Sequence, residues 1–173
     1  MRDVVVIFGL SGSGKSFLSR ILNEEFGYEW LRSDVIRKEL AGINLHSKVK
    51  ERFGAGIYSE NMTKEVYREM VSRAKELVRG GKKVVLDATF LKRWQRQMVK
   101  DSFESPLFIL AKASEESIKQ RLEDREDVSD ADFFIYMKQK EVMDPLNELD
   151  YVEVNTERSK EELKLVLSNL IND

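Results

Sequence analysis

Residues 9–16 read Gly-Leu-Ser-Gly-Ser-Gly-Lys-Ser and fill the pattern G-x-x-x-x-G-K-[S/T] at every defined position. An apolar run, Val-Val-Val-Ile-Phe at 4–8, precedes them and is typical of a buried parallel strand. Apolar residues then recur at helical spacing over 17–22, so the motif lies on a turn from a strand into a helix. Such a turn can curl its N–H groups around phosphate oxygens, and the helix N-terminus adds positive potential. The stretch predicts a phosphate-binding loop for a nucleoside triphosphate.

The residues of this loop have separate expected tasks. Lys15 is expected to reach the β- and γ-phosphates of ATP, and the Ser16 hydroxyl is expected to ligate Mg²⁺. The other predicted nucleotide contacts are Gly9, Ser11, Gly12, Ser13, Gly14 and Phe17. A glycine-rich turn that binds nothing is the alternative, and the strand and helix that flank the motif argue against it.

Composition sets the broad class of the protein. The 173 residues fit one domain, and the absence of cysteine excludes a disulfide framework and a thiolate metal site or nucleophile. No apolar stretch approaches the length of a membrane span, and the net charge of −2 gives no overall basicity. We therefore expect a cytoplasmic protein with no membrane contact and no obligate protein partner, and a local basic patch stays possible.

Short apolar runs alternate with amphipathic stretches, which indicates an α/β fold with a mainly parallel, five-stranded sheet. The predicted strands are 3–8, 28–32, 84–86, 107–110 and 152–154. The predicted helices are 15–26, 34–41, 59–79, 93–102, 115–126, 131–143 and 159–171. The segment 43–57 has no clear periodicity and is expected to be a functional surface loop.

An acidic and a basic residue follow the second predicted strand. If Ser33 caps the next helix, Asp34 lies in its first turn and Arg37 follows three residues later on the same face. In an open parallel sheet, ligands bind beyond the carboxyl ends of the strands, beside the phosphate loop. Asp34 is the candidate base for a phosphate acceptor, and Arg37 is the candidate anchor of that acceptor. An ordinary surface ion pair is the alternative.

Asp87 ends the third predicted strand, in the sequence Leu86-Asp87-Ala88-Thr89. A carboxylate at the tip of a buried strand is costly unless it serves water, a metal or a hydrogen bond. We expect Asp87 to hold Mg²⁺ through water or through Ser16, with Thr89 as a polar neighbour. A cap on the following turn is the alternative.

Two arginines precede a polar loop further along the chain. Arg121 and Arg125 lie four residues apart on one helical face. A segment that carries arginines can close over a nucleotide and neutralise the γ-phosphate in the transition state. We expect a lid at about 121–135. Solvated salt bridges with neighbouring acidic residues are an equal alternative.

Basic residues gather in two further places that could contact a nucleic acid through phosphate contacts and base stacking. Solvated charge is the more common role of such clusters. The first includes Lys48, Lys50, Arg52 and Tyr58, and the second includes Lys92, Arg93, Trp94 and Arg96.

Taken together, 9–16, 33–37 and 86–89 resemble the P-loop kinases grouped as AAA-type ATP-binding proteins. Polynucleotide 5′-hydroxyl kinases, zeta toxins and gluconate kinases are related to this group. A closer resemblance is to the ATP-binding half of bacterial proteins that fuse it to an aminoglycoside-phosphotransferase-like domain. It is carried by residues 31–34, 37–38, 40–42, 54, 56, 58–59 and 87–91.

This resemblance implies an adenylate-kinase-like core with a helical lid, the cofactors ATP and Mg²⁺, and transfer to a hydroxyl. On the polynucleotide-kinase pattern, Lys15, Ser16, Asp34, Arg37 and a lid arginine carry the reaction. Phe17 departs from the pattern, because a small hydroxyl residue often stands there. The fused phosphotransferase-like domain has no counterpart in this sequence, so its substrate is not implied.

Three functions can be weighed on these residues. An ATP-dependent kinase would act on a hydroxyl of a small molecule or of a nucleic-acid end. A GTP-dependent switch would need D-x-x-G and N-K-x-D, and the sequence contains neither. An ATP-hydrolysing regulator of a partner protein, with no acceptor, stays open.

Overall fold

The computed structural model describes residues 1–47, 54–124 and 130–173, in which five strands form one sheet. These strands are β1 Val4–Phe8, β2 Glu29–Arg32, β3 Val84–Asp87, β4 Leu107–Lys112 and β5 Val152–Asn155. Their order across the sheet is β2-β3-β1-β4-β5, and each pairing is parallel. The predicted α/β fold with a five-stranded sheet is therefore confirmed.

Helices cover both faces of the sheet and complete three layers. The strand β1 is buried on both faces: Val5 and Ile7 belong to one core with α1 and α7, and its other residues pack in a second core with α3 and α4. The helices are α1 Lys15–Phe26, α2 Ser33–Leu40, α3 Glu60–Arg79, α4 Arg93–Ser102, α5 Glu115–Glu123, α6 Asp130–Val142 and α7 Lys160–Asn172, with a short 3₁₀ turn at Gly56–Tyr58 before α3.

Two helix ends differ from the sequence-based expectations. The helix α2 begins at Ser33, because Arg32 is the residue with extended backbone at the N-cap position. Ser33 is therefore not the cap, although Asp34 still lies in the first turn. The helix α5 ends at Glu123, with Asp124 at its C-cap, which is earlier than predicted.

Long apolar helices do not occur in the part of the chain that the structure describes, and none of its helices could cross a membrane. The cytoplasmic location stays a prediction.

Arg96 on α4 is a buried charged residue inside the fold. It is fully buried and donates hydrogen bonds through all three of its nitrogens. Its guanidinium contacts Glu148 at 3.0 and 2.8 Å, the carbonyl of Phe90 at 2.9 Å and the carbonyl of Pro145 at 2.9 Å. Phe90 has a left-handed backbone with φ 47°, a conformation that costs a non-glycine residue about 1 kcal/mol. These bonds hold the segment that follows Asp87.

The contact with Arg96 also explains the lowered pKa of Glu148. Burial opposes the charged form, but the hydrogen bond and the charge of Arg96 outweigh it and lower the pKa of Glu148 below its usual value. The pair therefore stabilises the fold above the ordinary glutamate pKa, and this contribution is lost as the pH falls through the lowered pKa.

Replacing Glu148 by glutamine is expected to lower the free energy of unfolding by about 2 kcal/mol near neutral pH, because Arg96 loses a charged acceptor. The difference from the native protein should shrink in acid, where Glu148 is itself protonated. Urea unfolding over a series of pH values measures it. Glu141→Gln, at an exposed position on α6, is the matched control. A gap of constant size from neutral pH into acid would contradict the assignment.

Candidate functional site

The loop between β1 and α1 has the shape that its glycines allow. Gly14 has φ 96°, and a Cβ there would lie 2.6 Å from Thr156 Oγ1, so both the backbone and the space require glycine. Gly14 is also the N-cap of α1 and offers no side-chain hydrogen bond to the helix. The first turn of α1 carries no acidic residue, so its N-terminal amides keep the positive potential that favours an anion.

Thr156, which follows β5, supports this loop from behind. Its hydroxyl donates to the Ser13 carbonyl at 2.5 Å and accepts from Arg121 Nη1 at 3.0 Å. Arg121 also donates to the carbonyl of Gly12 at 3.1 Å and to that of Thr156 at 3.1 Å. The structure therefore places Arg121 against the phosphate loop. Arg125, the other candidate lid arginine, lies outside the described residues.

The helix α6 also supports the phosphate loop. The Ser11 amide donates to Gln139 Oε1 at 2.8 Å, and Gln139 is buried. Tyr136, on the same helix, packs with Ile118 and Leu122 of α5. The helices α5 and α6, whose ends fall within the predicted lid at 121–135, thus contact the phosphate loop. Residues 125–129 of that lid lie outside the described part of the chain.

The candidate metal ligands lie together. The Ser16 hydroxyl donates to Asp87 Oδ2 at 3.2 Å, and the Trp30 indole N–H donates to the same oxygen at 3.0 Å. Asp87 is 5% exposed. From β2, Arg32 Nη2 donates to the Ser16 hydroxyl oxygen at 3.3 Å.

These ligands suit Mg²⁺, which is usually held by one or two carboxylates together with substrate phosphates and water. Ser16 and Asp87 supply one hydroxyl and one carboxylate at the loop. Within the described residues, no group of three acidic or histidine side chains gathers into an all-protein metal site. The chain thus offers the partial set of ligands that a metal–nucleotide complex completes.

A cleft of about 370 Å³ opens at this loop. Lys15 Nζ donates to the Leu10 carbonyl at 3.1 Å, so its ammonium group lies folded over the loop. The cleft is lined by Gly12, Gly14, Lys15, Ser16, Phe17, Arg121 and Thr156. Five of these residues are among the predicted nucleotide contacts, and the nucleotide-binding role of the set stays a prediction.

The predicted acceptor residues lie on α2, one turn apart. Asp34 is exposed, whereas Arg37 is buried and donates from Nη1 to the Ile57 carbonyl at 2.8 Å and to Thr63 Oγ1 at 3.0 Å. The same guanidinium lies 5.0 Å from the centre of the Tyr58 ring. Arg37 therefore fixes the start of α3, and its contact with an acceptor stays a prediction.

Tyr67 links this pair to the segment after Asp87. Its hydroxyl accepts from the Phe90 amide at 3.0 Å and is hydrogen-bonded to the Thr89 side chain. Burial raises the pKa of Tyr67, and the charge of Asp34 adds to the rise. The hydrogen bonds with Thr89 and Phe90 and the charge of Arg37 oppose it by less. Tyr67 therefore lies between α2, which carries Asp34, and the segment that follows Asp87.

Sequence reasoning missed four side chains of this site: Trp30, Arg32, Gln139 and Thr156. Arg32 and Thr156 could have been found, because each lies at the carboxyl end of a predicted strand, where ligands gather. Trp30 and Gln139 carry no such signal, since a tryptophan in a strand and a glutamine in a helix usually serve packing or solvation.

The predicted basic surface at 92–96 is wrong for Arg96, because that side chain is buried among backbone carbonyls and Glu148. Lys92 donates to the Val142 carbonyl at 2.8 Å and pairs with Asp144 at 3.7 Å. In the other predicted cluster, Lys48, Lys50 and Arg52 lie outside the described residues.

Thr156→Val is expected to lower the free energy of unfolding by about 1–2 kcal/mol, because the Ser13 carbonyl and Arg121 both lose the hydroxyl while the side-chain volume is kept. Thr156→Ser retains the hydroxyl and is the matched control, with an expected loss below about 1 kcal/mol. Chemical denaturation of the three proteins measures the difference. Equal losses in the two variants would show that packing, and not the hydroxyl, supports the loop.

Solved structures share this fold at low sequence identity. A sugar kinase from Janibacter sp. HTCC2649 superposes with a TM-score of 0.75 at 18% identity, over 99% of this chain and 95% of that chain. A gluconokinase from Sinorhizobium meliloti 1021 gives a TM-score of 0.67 at 21% identity, over 98% and 93%. The Mycobacterium tuberculosis APS kinase, solved with AMPPNP and APS, gives 0.66 at 18% identity, over 99% of both chains.

No curated protein matches the chain in sequence. A family match does exist and covers the phosphate loop, the Ser16–Asp87 pair and α2. It extends over residues 4–146 and carries the description AAA domain. The chain therefore belongs to this AAA domain family.

Proposed function

We propose that the protein is an ATP- and Mg²⁺-dependent phosphotransferase that moves the γ-phosphate to a hydroxyl group of an acceptor. The observation that carries the proposal is the Ser16–Asp87 hydrogen bond beside the N-terminus of α1. It combines an anion-binding helix end with a hydroxyl and a carboxylate of the kind that a metal–triphosphate complex needs.

The phosphate chain would lie in the cleft at the loop. Main-chain amides of 12–17 and the ammonium group of Lys15 would bind the β- and γ-phosphates. Lys15 would exchange its bond to the Leu10 carbonyl for a charge-assisted bond to phosphate, which is the stronger of the two. Mg²⁺, held by Ser16 and through Asp87, would neutralise charge on the phosphate oxygens.

The acceptor would enter from the side of α2. Asp34, exposed in the first turn of that helix, would orient the acceptor hydroxyl and take its proton. Arg37 would anchor the acceptor through the guanidinium face that Ile57 and Thr63 do not use. Arg121, and with it Arg125, would stabilise the charge that spreads over the transferred group.

Small hydroxyl compounds are the acceptors that the relatives favour. The sugar kinase and the gluconokinase are named for such acceptors, and both align over nearly the whole chain. A nucleic-acid 5′-hydroxyl end remains the second acceptor class, since the sequence carries Lys48, Lys50 and Arg52 between α2 and α3, outside the described residues. An ATP-hydrolysing regulator without an acceptor is the alternative function.

Lys15→Ala and Asp34→Asn should both reduce phosphoryl transfer by about 100-fold or more, but only Lys15→Ala should greatly weaken ATP binding. The reason is that Lys15 contacts phosphates whereas Asp34 addresses the acceptor. Calorimetric ATP titration and a transfer assay separate the two effects. Lys82→Ala and Asp150→Asn, both exposed and at the opposite edge of the sheet, are matched controls. Full transfer by Asp34→Asn would refute the assigned base.

The acceptor class can be decided by offering γ-labelled ATP with either a panel of sugars, sugar acids and polyols or oligonucleotides with a 5′-hydroxyl. We expect label on a member of the first panel, with a higher acceptor KM in Arg37→Ala and little change in the ATP KM. Label on oligonucleotide ends would replace the small-molecule class by the nucleic-acid class. Release of labelled phosphate at an unchanged rate with every acceptor would favour the regulator.

A further inference from the structure

Arg32 holds an unusual place for a cation. Its Nη2 donates to the Ser16 hydroxyl oxygen at 3.3 Å, and that hydroxyl donates onward to Asp87 at 3.2 Å. A hydroxyl has one hydrogen and two lone pairs. Ser16 donates its hydrogen to Asp87 and accepts the Arg32 hydrogen bond with one lone pair. The guanidinium therefore contacts the oxygen that would ligate a metal.

We propose that Arg32 stands in for the divalent cation in the nucleotide-free protein and opposes its arrival, so that this side chain sets the affinity for the metal. The inference rests on the proposed function, because the cation in question is the one bound with the triphosphate. Arg32 is in this respect a positioning residue, since it acts on the metal ligands and not on the acceptor.

The charge balance around Asp87 supports this role. Asp87 is 5% exposed and receives hydrogen bonds from two neutral donors, Ser16 and Trp30. A buried carboxylate without a positive charge nearby is costly. The register of the sheet pairs Arg32 with Asp87 on the adjacent strand. The positive charge of Arg32 therefore compensates the negative charge of Asp87. A divalent cation would supply the same compensation.

The Arg32 side chain also makes a second contact, with the Trp30 ring. The Arg32 Cζ lies 4.8 Å from the centre of the Trp30 ring, a cation–π contact that does not involve Ser16. Arg32 is only partly buried, so it can release the hydroxyl oxygen and keep the ring. Trp30 therefore does two things: its N–H orients Asp87, and its ring retains the displaced guanidinium.

The size of the effect follows from Coulomb repulsion between a guanidinium and a dication that share one oxygen. With screening by water and salt, this corresponds to about fivefold in metal affinity. The measurable quantity is the coupling between metal and nucleotide, which is the ratio of the nucleotide Kd without Mn²⁺ to the Kd with Mn²⁺. Removing the charge of Arg32 should raise that ratio.

The test titrates the β,γ-imido analogue of ATP into the native protein and three variants by calorimetry, with and without Mn²⁺. Arg32→Met removes the charge and keeps the length of the side chain, whereas Arg32→Lys keeps the charge. Arg79→Met makes the same charge change at the exposed end of α3, at the opposite edge of the sheet. No turnover is needed for the measurement.

We expect the coupling ratio to rise about fivefold in Arg32→Met and to stay near the native value in Arg32→Lys and Arg79→Met. The rise should come from a lower Kd with Mn²⁺, and a native far-UV circular dichroism spectrum shows that Arg32→Met is folded. An unchanged ratio in Arg32→Met overturns the inference and leaves the proposed function intact. Weaker binding of the analogue by the same factor in both conditions overturns it as well, because Arg32 would then bind phosphate. A native protein that does not bind the analogue overturns the proposed function together with this inference.

Discussion

The site depends on the parallel register of three neighbouring strands. Ile7 on β1 pairs with Asp87 on β3, and Asp87 pairs with Arg32 on β2. Because parallel strands end at the same edge, the residues that follow each of these positions emerge side by side. The phosphate loop, the Asp87 segment and the start of α2 are thus brought together by the backbone pairing of the strands.

The shape of the phosphate loop depends on residues far along the chain. Gly12, Ser11 and Ser13 are held by Arg121, Gln139 and Thr156 respectively, which come from α5, α6 and the end of β5. The contact between Gly14 and Thr156 leaves no room for a side chain. The loop is therefore complete only when the last strand is in place, and its stability is coupled to the whole sheet.

The strands, the helices and the loop could be predicted because each depends on local patterns of residues. The apolar runs of β1, β3 and β4 and the motif at 9–16 need no tertiary information, and the rule that ligands gather at strand ends placed Asp87 beside Ser16. The contacts of Gln139 and Arg96 could not be predicted, because a long polar side chain has the same local signal in a buried bond and in solvent. Arg96 is the clearest failure: its basic neighbours indicated a surface, whereas it is buried and makes six hydrogen bonds to five acceptor atoms, in the nearby residues 90–91 and the distant residues 144–148.

Arg96, Arg37 and Arg32 differ in how fully their hydrogen-bond donors are used. Arg96 has an acceptor for each nitrogen and can gain nothing from a ligand. Arg37 uses Nη1 to hold the start of α3, but its buried Nε has no hydrogen-bond acceptor among the described residues. Arg32 is partly exposed and bonds to one hydroxyl. An unused donor in a buried place costs free energy that a ligand can recover, so Arg37 is suited to bind an anionic group, whereas Arg32, with a weak bond and a ring beneath it, is suited to move.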